Sequence, residues 1–123
     1  MMTRMYLMLK KKDWPDELDA LNAAPQYHSL MLENDSVRVL DTRVPAGQTV
    51  PLHTHRWPGT QYILSWSDFV RRDAKEKILV DSRTFQKIPE GSAVWSTPLP
   101  PHTLKNVGAS DLHVISVELK SSI

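Results

Sequence analysis

The sequence contains no cysteine, which excludes disulfide bonds and thiolate metal sites. Any metal ion would have to be held by histidine, carboxylate, amide or water ligands. No apolar run approaches the ~18 residues of a membrane span. Neither sign of charge dominates, because 15 Lys and Arg stand against 14 Asp and Glu, and the basic residues are scattered except at positions 10–12. The sequence therefore indicates no membrane partner and no nucleic-acid-binding surface.

The first residues show no clear targeting signal. The apolar segment from Met5 to Leu9 is shorter than a signal-peptide core, and its positive charges follow it. We therefore expect a cytoplasmic protein. A chain of 123 residues with 41% hydrophobic content is long enough to bury one core and too short for two.

One helix is predicted near the start, from Asp13 to Pro25. Asp13 is a capping residue type, acidic residues occupy the first turn, Leu18 and Leu21 are three apart, and a proline ends the segment. We divide the chain into an N-terminal segment, residues 1–28, and a β domain, residues 29–123.

Beyond residue 29 the hydrophobic pattern has a period of two, which predicts β-strands. These runs are short, rich in β-branched or aromatic residues, and separated by Pro, Gly, Asn and Asp. They are Val37–Val44, Gln61–Trp66, Asp68–Arg72, Lys77–Val80, Thr84–Ile88, Ser92–Ser96 and Leu112–Lys120. Residues 71–77, RRDAKEK, are predicted to form an exposed hairpin tip. Many short strands at regular spacing indicate an all-β sandwich or small antiparallel barrel.

Two of the five histidines, His53 and His55, lie two positions apart in the segment TVPLHTH. In an extended backbone they point to the same face, ~7 Å apart, and could share a metal ion. Taken alone, such a pair also fits two exposed strand residues. His102 lies 47 positions beyond His55 and makes a shared site the better interpretation. We expect His28 at the surface and His113 in the core or at a rim.

The spacing of glycines and histidines resembles the two sequence motifs of the cupin superfamily. The first motif is carried by Gly47, His53 and His55, and the second by Gly91, His102 and Asn106. The resemblance extends from about residue 29 to residue 120. It implies a jelly-roll barrel with a divalent transition metal, Fe, Mn, Ni or Zn, held by His53, His55 and His102.

The sequence departs from the cupin pattern where a glutamate usually follows the second histidine. Those positions are Gly59 and Thr60, and Gln61 is the nearest side chain with a ligand oxygen. Gln61 is therefore a candidate fourth metal ligand or a hydrogen-bonding group beside the metal. Three neutral imidazoles leave the full +2 charge on an ion, which favours an anionic oxygen ligand.

The resemblance implies a metal-dependent enzyme, such as a dioxygenase, isomerase or lyase, that acts on a small oxygen-rich or anionic molecule. The sequence suggests no general base. A non-catalytic small-molecule-binding protein is the alternative, and a purely structural module ranks below both. The resemblance also implies a homodimer. We expect Trp57 at the cavity entrance, Arg38 and Arg43 at the surface, and Asn106 in a structural role.

Overall fold

A computed structural model describes residues 13–120 of the protein. The first twelve residues of the predicted N-terminal segment lie outside this range. Nine strands are found in the described part: β1 (His28–Glu33), β2 (Val37–Val44), β3 (Thr49–His55), β4 (Gly59–Ser65), β5 (Phe69–Asp73), β6 (Ile78–Asp81), β7 (Ala93–Ser96), β8 (Leu99–Asn106) and β9 (Leu112–Leu119). No helix within residues 13–120 is long and apolar enough to cross a membrane.

The strands form two antiparallel sheets in a jelly-roll arrangement. One sheet has the order β1-β2-β9-β4-β7 and the other has the order β3-β8-β5-β6. The all-β prediction is confirmed, but the two sheets do not close into one continuous barrel. The inward side chains of both sheets enclose a cavity, and the candidate site lies there.

Strand β2 shows how the period-two pattern builds this core. Its residues Leu40 and Val44 are buried at 0% and 1% exposure, and the whole strand pairs with β9 without a register shift. Val44 packs with Val50, Leu112 and Ala24 in one apolar cluster, while a second cluster surrounds Ile63 and Trp66. Burial of these side chains removes apolar surface from water and holds the two sheets together.

The predicted helix between residues 13 and 25 is broken in the structure. A 3-10 turn, Asp16–Leu18, is followed by a single α-helical turn, α1 (Ala20–Ala23), and the residue between them, Asp19, has a non-helical ψ of 141°. Asp19 caps α1 and forms an isolated bridge with Thr54 of β3. The predicted cap at Asp13 is wrong, because tertiary contacts of Asp19 decide where the helix begins.

The strand predictions differ from the structure at three places. Residues 84–88 form no strand, because Ser82–Thr84 is a 3-10 turn and the following residues are irregular. Strand β1 was missed because its hydrophobic residues do not alternate with polar ones. Strand β8 was missed because Pro100 and Pro101 interrupt its sequence pattern. Both prolines nevertheless lie within the strand, since proline is tolerated at irregular strand positions. The predicted hairpin tip is confirmed between β5 and β6.

Candidate metal centre

The cavity between the two sheets has a volume of about 90 Å³ and is mainly apolar. Its polar lining includes four histidines, namely His28, His53, His55 and His102, together with Gln61 and Arg71. The apolar lining comes from both sheets and includes Ile63, Trp66, Phe69, Leu104 and Val114. Most of the polar groups of this mainly apolar cavity are therefore imidazoles.

His53 and His102 are brought together by the pairing of β3 with β8. The two residues are direct partners in the antiparallel register, so their side chains leave the same face of the sheet. Their ring centroids are 4.2 Å apart, and both side chains are buried, at 2% and 1% exposure. The two motifs thus meet at one point, as the sequence predicted.

His55 completes the predicted group of three. Its ring centroid lies 5.1 Å from that of His53 and 6.0 Å from that of His102. Gln61 lines the same cavity from β4, while its neighbour Tyr62 is exposed on the opposite face. All four predicted ligand residues therefore face one cavity.

His28 also belongs to the cluster, which the sequence interpretation missed. It is the first residue of β1, is 4% exposed, and has ring centroids 5.0 Å from His53 and 5.3 Å from His55. Ligand atoms of these three histidines all lie within 4.8 Å of one another. The signal that the His28 side chain faces the cavity is its pairing with Thr42, another cavity residue. That pairing cannot be read from the sequence.

Each of the four cavity histidines has its Nδ1 atom hydrogen-bonded to an oxygen acceptor. His53 donates to the carbonyl of Pro51 at 2.7 Å, and His102 donates to the carbonyl of Pro100 at 2.6 Å. His28 donates to the carbonyl of Ala24 at 3.0 Å. A carbonyl oxygen can only accept, so Nδ1 carries the proton and Nε2 keeps its lone pair. This is the arrangement that orients a histidine for metal binding.

The same local sequence produces two of these hydrogen bonds. His53 and His102 each follow a proline two positions earlier, in Pro-Leu-His and Pro-Pro-His. The β3–β8 register shifts on both sides of the His53–His102 pair, so the strands are irregular there. The irregular backbone brings each carbonyl of residue i−2 within reach of its own imidazole.

His55 uses a carboxylate instead of a carbonyl. Its Nδ1 lies 2.9 Å from Oε2 of Glu118, a β9 residue that is 4% exposed. The other oxygen of Glu118 accepts from Nε of Arg38 at 2.8 Å. Arg38 in turn donates both terminal nitrogens to Asp19, at 2.9 and 3.0 Å. A chain of buried charges thus fixes the ring of His55 from behind.

Burial keeps most of these imidazoles neutral. Loss of solvent lowers the pKa of His28 to about 4, and it also lowers the pKa of His53. The pKa of His102 is lowered to about 3 by burial, by His55 and by the positive charge of Arg71. Glu118 behaves differently: burial alone would raise its pKa, but His55 and Arg38 lower it. His28, His53 and His102 therefore offer lone pairs at neutral pH, which metal binding requires.

The donor set fits a borderline divalent ion. Zinc binds imidazole nitrogen at ~2.0–2.1 Å, so two nitrogens on one ion are at most ~4.2 Å apart. Ligand atoms of His28, His53 and His55 lie within 4.8 Å of one another, so these rings would have to move closer together to share one ion, and His102 is not in that group. No thiolate competes because the chain has no cysteine.

Comparison with solved structures identifies the fold. A cupin domain from Bordetella pertussis Tohama I aligns with a TM-score of 0.63 and 14% identity, over 76% of this chain and 92% of that one. An RmlC-like cupin family protein with a double-stranded β-helix fold from Methanocaldococcus jannaschii gives 0.53 and 13%, over 75% and 77%. The protein has a cupin fold. A polyketide cyclase from Streptomyces resistomycificus also aligns, with a TM-score of 0.53 and 13% identity, over 92% and 81%. No protein-family profile and no curated protein matches this sequence.

The close approach of β4 and β9 explains why a glycine stands at the position where a glutamate was expected. A Cβ atom at Gly59 would collide with the backbone carbonyl of Val117, so no side chain fits there. The residue paired with Gly59 across the β4–β9 register is Glu118. A carboxylate is therefore present near this position of the cupin, but on the neighbouring strand, where it binds His55 from behind.

One further expectation is corrected by the structure. Arg38 was expected at the surface, but it is 4% exposed because Asp19 and Glu118 neutralise it. Trp57, expected at the cavity entrance, is not in the cavity lining, but it lines a small pocket with His55 and Gln61, which also line the cavity, and it lies 4.8 Å from the guanidinium of Arg38. The tryptophan of the cupin cavity is Trp66.

The remaining motif residues support the cupin scaffold. Asn106 is fully buried and donates its amide to the carbonyls of Val44 and Ser110, which agrees with the structural role predicted for it. Gly47 has a positive φ of 82°, as its turn requires. His113 lies outside the cavity lining and contacts Asp41, and Arg43 is exposed.

Proposed function

We propose that this cupin binds a divalent transition ion through His53, His55 and His102, with His28 as an additional ligand. The observation that supports this ligand set is the shared orientation of the rings. All four Nδ1 atoms are bound to protein oxygens, which leaves Nε2 as the available donor of each ring. His28 would add a ligand to a site in which Gly59 has no side chain to provide a carboxylate.

We further propose that the protein is a metal-dependent enzyme acting on a small, oxygen-rich or anionic molecule. A bound divalent ion would supply Lewis-acid chemistry, by polarising a substrate oxygen or activating water or dioxygen. The apolar walls would exclude bulk water, and Gln61 would hydrogen-bond the substrate beside the histidines. No carboxylate lines the cavity within residues 13–120, so neutral imidazoles would leave the positive charge of the ion uncompensated there, which favours an anion.

Metal analysis of tag-free protein tests the ligand set. We expect close to one Fe, Mn, Ni or Zn ion per chain in the wild type and little in His53→Ala or His102→Ala. His113→Ala is the matched control, because His113 lies outside the cavity lining and should leave the metal content unchanged. Full metal content in both cavity variants would refute the assignment.

A non-catalytic binding protein is the second candidate. It is favoured by one observation, the absence of any carboxylate among the described residues that line the cavity. Such a site has no evident general base besides its histidines. Co-purification of an organic ligand in a metal-free cavity would support this role, whereas metal-dependent turnover would support the enzyme.

The cytoplasmic location and the homodimer are proposals that rest on the sequence and on the cupin resemblance. Strand β1 is the edge of its sheet, and its side chains Leu30, Met31 and Leu32 are about half exposed. Light scattering coupled to gel filtration distinguishes a dimer from the 14.1 kDa monomer. If β1 forms the contact, Met31→Lys should yield the monomer.

A further inference from the structure

Arg71 is a charged side chain in the cavity wall that has no acidic partner among residues 13–120. Its Nε atom is enclosed and makes no hydrogen bond. The guanidinium carbon lies 5.6 Å from the centroid of the Phe69 ring. Burial lowers the pKa of Arg71. Leaving a largely enclosed cation unpaired is energetically unfavourable, which indicates that its partner lies outside residues 13–120.

The other arginines with described contacts differ in this respect. Carboxylates bind four of them, in the pairs Arg38–Asp19, Arg43–Asp111, Arg56–Asp16 and Arg83–Asp81. The acids nearest to Arg71 in the sequence are already engaged. Asp73 accepts from the backbone of Lys75 and Lys77, and Asp68 accepts from Ser82. The guanidinium of Arg71 is therefore available to a ligand.

The position of Arg71 relates it to the histidines. It pairs with Leu104 across β5 and β8, and His102 lies two residues before Leu104 on the same strand. This diagonal places the two backbones ~7–8 Å apart, with both side chains in the cavity wall. One small molecule could therefore touch Arg71 at one end and the histidine cluster at the other.

We propose that the cavity binds a small carboxylate, with its carboxylate group on the guanidinium of Arg71 and its apolar body against Phe69 and Leu104. The planar guanidinium suits bidentate binding of a carboxylate. The cavity of about 90 Å³ is smaller than the ~150 Å³ space that holds benzene, so the ligand has only a few carbon atoms. The contact of the ligand with the histidines rests on the proposed function. The contact of its carboxylate with Arg71 does not.

Calorimetric titration with butyrate tests the proposal, with butanamide as the neutral probe of similar shape. We expect butyrate to bind the wild type more tightly than butanamide, and Arg71→Gln to weaken butyrate at least ~10-fold while leaving butanamide unchanged. Arg72→Gln is the matched control, because it removes the same charge one residue away and Arg72 is absent from the cavity lining. Inorganic sulfate, titrated in parallel, shows whether the site selects carboxylates over other anions.

Two results would overturn the proposal: equal butyrate binding by Arg71→Gln and the wild type, or tighter binding of sulfate than of butyrate. The unfolding temperature of each variant, measured in the same samples, shows that Arg71→Gln is folded. Arg71→Lys, which keeps the charge, should retain part of the binding. The titrations are repeated on zinc-loaded and chelator-treated protein. Arg71-dependent butyrate binding without metal uptake would sustain this inference while refuting the metal site.

Discussion

Each cavity histidine uses one ring nitrogen to bind the protein and has the other available to the cavity. The acceptors of His53 and His102 are backbone carbonyls, which no substitution removes, whereas the acceptor of His55 is the side chain of Glu118. At the scale of single residues, His55 is therefore the proposed ligand whose orientation and basicity can be altered without changing the histidine itself.

Glu118→Gln should lower zinc affinity about 10- to 100-fold, because the charge that supports His55 is lost while the shape is retained. Competition with a chelating dye measures this affinity. Glu33→Gln is the control, because Glu33 pairs with Lys120 at the surface and has no contact with the histidines. Unchanged affinity in Glu118→Gln would mean that His55 does not depend on this carboxylate.

Gly59→Ala should destabilise the protein by about 1–3 kcal/mol or more, because its methyl group would meet the Val117 carbonyl and force β4 and β9 apart. Urea denaturation gives the free energy of unfolding. Thr60→Ala, at an exposed position on the same strand, should change it little. A Gly59→Ala protein as stable as the wild type would show that the strands adjust freely.

At the scale of secondary-structure elements, the short N-terminal turns are connected to the sheets by charge. Asp19 ends the 3-10 turn, caps α1 and binds Arg38 of β2. Burial alone would raise the pKa of Asp19, but its hydrogen bonds and ion pair with Arg38 lower it. The same arginine reaches Glu118, so the position of α1 and the ring of His55 are coupled through two ion pairs.

Asp19→Asn should lower the free energy of unfolding by about 1.5–3 kcal/mol, because Arg38 loses charge-assisted hydrogen bonds in a buried setting while Glu118 still neutralises it. Thermal or urea denaturation measures the change. Asp16→Asn is the matched control: its side chain is 86% exposed, so loss of its pair with Arg56 should cost less than ~1 kcal/mol. Equal effects of the two substitutions would contradict this account of the buried network.

At the scale of the whole molecule, the two sheets bury several histidines in neutral form. Their folded pKa values lie below the ordinary value of about 6.5, with His28 at about 4 and His102 at about 3. Below pH 6.5 the unfolded chain binds protons that the folded protein does not bind. The stability of the metal-free protein should therefore be complete above pH 6.5 and decline as the pH falls.

In that range each such histidine contributes a loss of up to ~1.4 kcal/mol per pH unit. Urea denaturation of chelator-treated protein at pH 7, 6 and 5 measures the slope. His102→Asn should flatten it, while His113→Asn should not, because His113 lies outside the cavity. A stability that is constant between pH 7 and pH 5 would show that the cavity histidines are not buried as described.

Much of the fold could be predicted from local patterns. The alternation in β2 and β9 predicted both strands nearly to the residue, because one face of each is buried and the other is more exposed. The resemblance to the cupin motifs also implied that His53, His55 and His102 share one cavity, and all three line it. The predictions failed where long-range contacts override local preference, as at Asp19, where an ion pair interrupts the helix, and in β8, where an irregular strand accommodates two prolines.

The sequence by itself determined the all-β class and the absence of thiolate ligands, because these depend on residue type and period, while the resemblance to the cupin motifs implied that His53, His55 and His102 meet. Only the tertiary structure decided that His28 joins the cluster, that Glu118 stands across from Gly59, and that Arg71 faces the cavity unpaired. These facts depend on which strands lie side by side and in which register. Strand pairing brings together residues as far apart in the sequence as Arg38 and Glu118, which are 80 positions apart. A local pattern carries no information about such partners.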